Sequence, residues 1–160
     1  MKTYNFQVYK SVLVRDGAVH IDQPLTREQL RSSQYAARLL AAYLRDADVE
    51  HFVVVWLNQK YKIIGLRTVA IGSLTAAVVH PREVFIGTSD GRVAHMVLAH
   101  NHPSGDPNPS KEDRAMTARL VQAGELLGIT IIDHIIVAYD CNGAHTYYSF
   151  ADNNCLTAGA

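Results

Sequence analysis

Between Val93 and Ala138 the hydrophobic period of the chain switches from strand to helix and back. Val93 to Ala99 is an apolar run of strand length. It leads directly into His100-Asn101-His102-Pro103-Ser104-Gly105-Asp106-Pro107-Asn108-Pro109, whose prolines exclude a helix interior. After Ser110, the residues Met116, Leu120, Ala123 and Leu127 recur at the helical period, and Gly128 stands where such a helix would stop. The pattern predicts a helix over about Lys111 to Leu127. Ile129 to Ile132 and Ile135 to Ala138 then read as two further strands. Strands and helices are interspersed, so the expected fold is a mixed α/β domain.

The rest of the chain fits that class. Phe6, Val8, Val12 and Val14 predict an N-terminal strand closed at Asp16-Gly17. Thr26 and Gln29 match a capping box with Leu25 and Leu30 as a hydrophobic staple, which predicts a helix from Arg27 carrying Leu30, Ala37, Leu40, Ala41 and Leu44 on one face. Glu50 to Leu57 and Tyr61 to Leu66 read as a hairpin, Ala76 to Val79 as a short strand, and Pro81 as the first residue of a helical turn ending near Phe85. Asp140 to Gly143 is a turn before a last strand, Tyr147 to Phe150. The expected organisation is an N-terminal strand and helix over 1–49, a core over 50–150 in the same domain, and a mobile tail over 151–160.

Composition narrows the function. At 160 residues, with 48% hydrophobic and 19% charged residues, one domain with its own core is expected. Fifteen Lys and Arg balance fifteen Asp and Glu. The basic excess that drives phosphate binding is therefore missing, and charge gives no support for a nucleic-acid partner. The longest apolar runs fall far short of the ~20 residues that cross a bilayer, and the N-terminus lacks a secretory signal, so no membrane partner and a cytoplasmic location are expected. Cys141 and Cys155 have no metal-ligand spacing and read as free thiols.

The chemistry lies at the end of the Val93 strand. His100 and His102, two apart, point to the same face, and Asp113 stands in the first turn of the following helix. Two imidazoles, one carboxylate and a water make the open tetrahedral site of a catalytic zinc, which lowers the pKa of bound water to about 7. His-x-His alone is a weak signal, and Ser110-x-x-Asp113 alone is an ordinary helix cap. Together they form H-x-H-x7-S-x2-D, four fixed positions across fourteen residues.

That motif, written here as His100-Asn101-His102-Pro103-Ser104-Gly105-Asp106-Pro107, then Pro109-Ser110 and Asp113, resembles the signature of the RadC family within the JAMM (MPN-type) zinc metalloprotease superfamily. The resemblance runs from about Glu50 to Phe150 and includes Ile71-Gly72-Ser73, His80-Pro81-Arg82-Glu83, Asp133-His134-Ile135-Ile136 and Tyr148-Ser149-Phe150. It implies a mixed central β-sheet flanked by helices, the JAMM/MPN-like, cytidine-deaminase-like architecture. It also implies zinc held by His100, His102 and Asp113, with Ser110 at the oxyanion and an upstream Glu as general base. Glu50 stands at that place. Glu83 is the rival, with a structural explanation at a helix N-terminus. Arg82 fits a substrate carboxylate or a neighbouring acid equally well. His134 reads as a hydrogen-bonded structural histidine, with a place beside the zinc ligands as its alternative.

Two departures from the family pattern stand out. Full-length members commonly carry an N-terminal helix-hairpin-helix region, whereas the residues before Glu50 read as strand and helix. Ile86 to Gly91 also interrupts the Ala-rich helix usual after Pro-Arg-Glu. The expected function is a zinc-dependent hydrolase that cleaves a peptide or isopeptide bond in a peptide or protein substrate. The alternative is a non-catalytic zinc-containing interaction module in DNA repair or mobile-element biology. The deaminase signature H-x-E with P-C-x-x-C is absent.

Overall fold

A computed structural model describes residues 30, 32–72, 79–88 and 91–156. Three helices, α1 (Ser33–Leu44), α2 (Pro81–Val84) and α3 (Lys111–Leu127), accompany five strands, β1 (His51–Leu57), β2 (Ile63–Ile71), β3 (His95–His102), β4 (Thr130–Tyr139) and β5 (His145–Ser149). The strands form one mixed sheet in the order β2-β1-β3-β4-β5. β1 pairs antiparallel with β2 and β3, β3 pairs parallel with β4, and β4 pairs antiparallel with β5. The parallel pair requires a crossover, which α3 supplies.

Burial on both faces explains the continuous apolar runs of the central strands. Phe52, Val54 and Trp56 of β1 join Met96 and Leu98 of β3 and Met116 and Leu120 of α3 on one face. Val53, Val55 and Leu57 join Val97, Ala99, Ile135 and Val137 under α1 on the other, where Ala37, Leu40, Ala41 and Leu44 supply the helical stripe. α3 keeps its expected bounds. Gly128 adopts φ 69°, a left-handed conformation that glycine enters without strain, and the Ile129 amide then donates to Gly124 O at 2.9 Å.

Three expectations change. The helix expected from Arg27 begins at Ser33, with Ser32 as its cap and the Tyr35 amide donating to Ser32 Oγ at 3.2 Å. Thr26 and Gln29 lie outside the described residues, as do the strand over Phe6 to Val14 and, except for Val79, the strand over Ala76 to Val79. The two strands expected over 129–132 and 135–138 are one, β4, because Asp133 and His134 continue it with their polar groups satisfied inside the fold. The region expected to be a mobile tail folds back at its start. The Cys155 amide donates to Phe150 O at 2.8 Å, and Leu156 packs on the core. α2 stops after one turn, as the Ile86 to Gly91 interruption predicts.

Candidate metal centre

Strand alternation places His100 and His102 on the α3 face of β3, and the register sets His100 between Phe52 of β1 and Ile136 of β4. The loop from Pro103 to Pro109 returns the chain to the head of α3. Gly105 turns it with φ 86° at a point where a Cβ would stand 3.1 Å from Tyr139 O. Ser110 then caps α3 reciprocally. The Asp113 amide donates to Ser110 Oγ at 3.0 Å, while the Ser110 amide and hydroxyl donate to Asp113 Oδ2 at 2.7 and 2.6 Å. This box fixes the carboxylate, leaving Oδ1 3.2 Å from His100 Nε2 and Oδ2 3.5 Å from His102 Nε2.

The hydrogen bonds behind the cluster fix which ring nitrogens carry protons. Thr117 Oγ1 donates its one proton to Asp113 O at 2.6 Å, so at His134 Nδ1, also 2.6 Å away, it accepts. His134 is fully buried, and burial holds it neutral by pushing its pKa well below the usual value. Its Nε2 therefore accepts from His100 Nδ1 at 2.8 Å. His100, also lowered by burial, is left with the lone pair of Nε2 facing the cluster. On the other ring, His102 Nδ1 donates to Asp106 O at 2.7 Å, which directs its Nε2 inward as well. The two Nε2 atoms lie 3.0 Å apart.

Two inward nitrogens beside a carboxylate demand a cation between them. Without a metal the cation is a proton on His102, whose pKa the bond to Asp113 raises. Burial alone would raise the Asp113 carboxyl, but its contacts with the two imidazoles and the Ser110 hydroxyl outweigh it and hold the group well below the carboxylate range. Zinc is an equally good fit. With bonds of ~2.0–2.1 Å, a tetrahedral ion keeps its ligand atoms roughly 3.3 Å apart. The observed separations of 3.0, 3.2 and 3.5 Å bracket that value. Among the described residues, the metal-competent group consists of His100, His102 and Asp113 alone.

The other predicted residues fall on either side of this cluster. Glu50 directly precedes β1, close enough that its charge favours the protonated forms of His100 and His102. Glu83 is on α2, where its carboxylate accepts from Arg82 Nε at 3.3 Å, so the neighbouring acid is Arg82's partner. His80 caps α2, accepting from the Arg82 amide. His134 is a buried histidine hydrogen-bonded at both ring nitrogens and stands behind His100, with the Phe150 ring stacked 4.9 Å from it. Asp133 does not orient the His134 ring. It accepts from the His134 and Ala151 amides and from Ser149 Oγ, tying the end of β5 to β4. Sequence reading missed Thr117 and Asn101. For Thr117 the signal was a hydroxyl four residues after Asp113, on the same helix face.

Residues 30–155 match the RadC-like JAB domain family, and the chain belongs to the RadC family of the JAMM/MPN superfamily. It is similar to a UPF0758 protein of Symbiobacterium thermophilum, 46% identical over 135 residues, covering 84% of this chain and 55% of that protein. A UPF0758 protein of Shouchella clausii is 48% identical over 117 residues, or 73% and 51% of the two chains. One from Desulforamulus reducens is 46% identical over 112 residues, or 70% and 49%. The chain spans about half the length of these curated relatives. Among the described residues no helix is long and apolar enough to cross a membrane.

Proposed function

We propose that the chain is a zinc-dependent hydrolase that cleaves a peptide or isopeptide bond, with His100, His102 and Asp113 as the metal ligands. The observation that carries this reading is the pair of inward-facing Nε2 atoms 3.0 Å apart beside a buried carboxylate. Their orientation is imposed by partners outside the cluster, as in histidine metal sites generally. Zinc bound there would polarise the scissile carbonyl and supply hydroxide near neutral pH.

The chain's own groups do the remaining work. Glu50 takes the proton of the attacking water and returns it to the leaving amine, as a general base that becomes a general acid. Its place at the head of β1, near enough for its charge to act on both imidazoles, suits that exchange, whereas Asp113 is committed to the ligands and the cap. Ser110 donates to the developing oxyanion. For this its hydroxyl proton must leave Asp113 Oδ2, a rotation about one side-chain bond, while Oγ continues to accept from the Asp113 amide. A cavity of about 510 Å³ bordered by Arg45, Asn101, Tyr139 and Asn142 meets the cluster at His102.

The test is hydrolysis of a panel of peptide and isopeptide-linked substrates by zinc-loaded protein, with Glu50→Gln as control. Cleavage that disappears in the variant while zinc is retained is the expected result. Unchanged cleavage in Glu50→Gln would remove Glu50 as the base.

A further inference from the structure

The β1–β3 ladder stops just short of Glu50, its last pair being Phe52 with His100. A side chain continues where the main chain stops. Asn101 Oδ1 accepts from the His51 amide at 2.7 Å, and Asn101 Nδ2 donates to Val49 O at 2.9 Å. One amide thus engages the backbone groups on both flanks of Glu50, using its acceptor for one and a donor for the other. From the opposite side the Gly72 amide donates to Glu50 O at 2.8 Å. Asn101 is 2% exposed and is the residue between the two histidines.

We infer that Asn101 is a positioning residue that holds Glu50 in register with the His100–His102–Asp113 group. The inference rests on the proposed reading of that group as a metal centre served by Glu50. The geometry leaves little freedom. Strand alternation sends His100 and His102 to one face and Asn101 to the other. The backbone that sets the spacing of the two imidazoles therefore also anchors the clamp on residues 49 and 51. Serine is too short to bridge both backbone groups, and aspartate supplies no donor for Val49 O. A buried asparagine in an otherwise apolar row with Val97 and Ala99 is accounted for by this clamp.

The test is a double-mutant cycle with Co²⁺ as the probe, titrated into the full chain and followed by visible absorption. Glu50→Gln removes a negative charge near the site and is expected to weaken Co²⁺ binding about tenfold. Asn101→Ala is expected to weaken it by the same factor or less, and the double variant no more than Glu50→Gln alone, because both act through one carboxylate. Losses that multiply in the double variant, or an unchanged affinity in Asn101→Ala, would overturn the inference. If near-UV circular dichroism shows Asn101→Ala unfolded, the same criterion is applied to Asn101→Ser. A wild-type chain that binds no Co²⁺ would overturn the metal reading itself, and the positioning role with it.

Discussion

Serine caps both long helices, and the two caps differ in what their first turns hold. Ser32 closes α1 by accepting from the Tyr35 amide, and no acidic residue stands in that turn. Ser110 closes α3 in the same way, but the residue three positions on is Asp113, which returns the hydrogen bond and is buried against two imidazoles. A local device worth about 1 kcal/mol at either helix thus becomes, at α3, the means of aiming a ligand. The context provides the difference. α3 starts where β3 ends, after a loop tied to His102 through Asp106, whereas at the head of α1 the Ser33 hydroxyl donates to Asp152.

Substitutions at the α3 end should separate metal holding from catalysis. His102→Ala is expected to lose both zinc and hydrolysis. Glu50→Gln, assayed at saturating zinc to offset its weaker binding, should stay loaded and lose hydrolysis by roughly 10²–10⁴-fold, the range for a general base. Zinc content and turnover measured on the same preparations check both. Behind the cluster, Thr117→Val removes the acceptor of His134 Nδ1 and should weaken zinc binding about 10–100-fold, as read by competition with a chelating dye.

Acidity should affect the two helix heads differently. His102 is raised above 6.5 by its bond to Asp113, so zinc must displace a proton below that raised pKa. Affinity is expected to fall by up to about tenfold per pH unit as pH drops through it, and to level off above it. His102's contribution to the stability of the metal-free fold runs the other way. It is complete below the ordinary value and lost as pH rises through the raised one. His100 and His134, lowered by burial, contribute in the opposite sense, so the His102 share is read as the difference between the melting curves of the wild type and His102→Ala over the same pH series, a difference that should shrink as pH rises. The smallest effects compare the caps directly. Ser32→Ala and Ser110→Ala should each cost about 1 kcal/mol in denaturant unfolding, but only Ser110→Ala should also weaken zinc binding, by about tenfold.

What could be read from sequence follows the same division between local and distant partners. The bounds of α3, its serine cap, its glycine stop and the approach of His100, His102 and Asp113 all depend on residues within thirty positions of one another. β4 was split because Asp133 and His134 break the apolar pattern, and their partners Ser149, Thr117 and His100 lie sixteen or more residues away. Asn101 was silent for the same reason, since its partners Val49 and His51 lie about fifty residues upstream. The start of α1 was misplaced because Thr26 and Gln29 match a capping box, whereas Ser32 caps α1 with no such pair.

The central claim is that the cap of α3 completes a metal site, and metal content tests it most directly. Protein purified without chelator or polyhistidine tag would be assayed by mass spectrometry beside Asp113→Ala. The account predicts close to one zinc per wild-type chain and none in the variant. Absence of metal from the wild-type chain, even after zinc is added back, or equal zinc in both proteins, would contradict it.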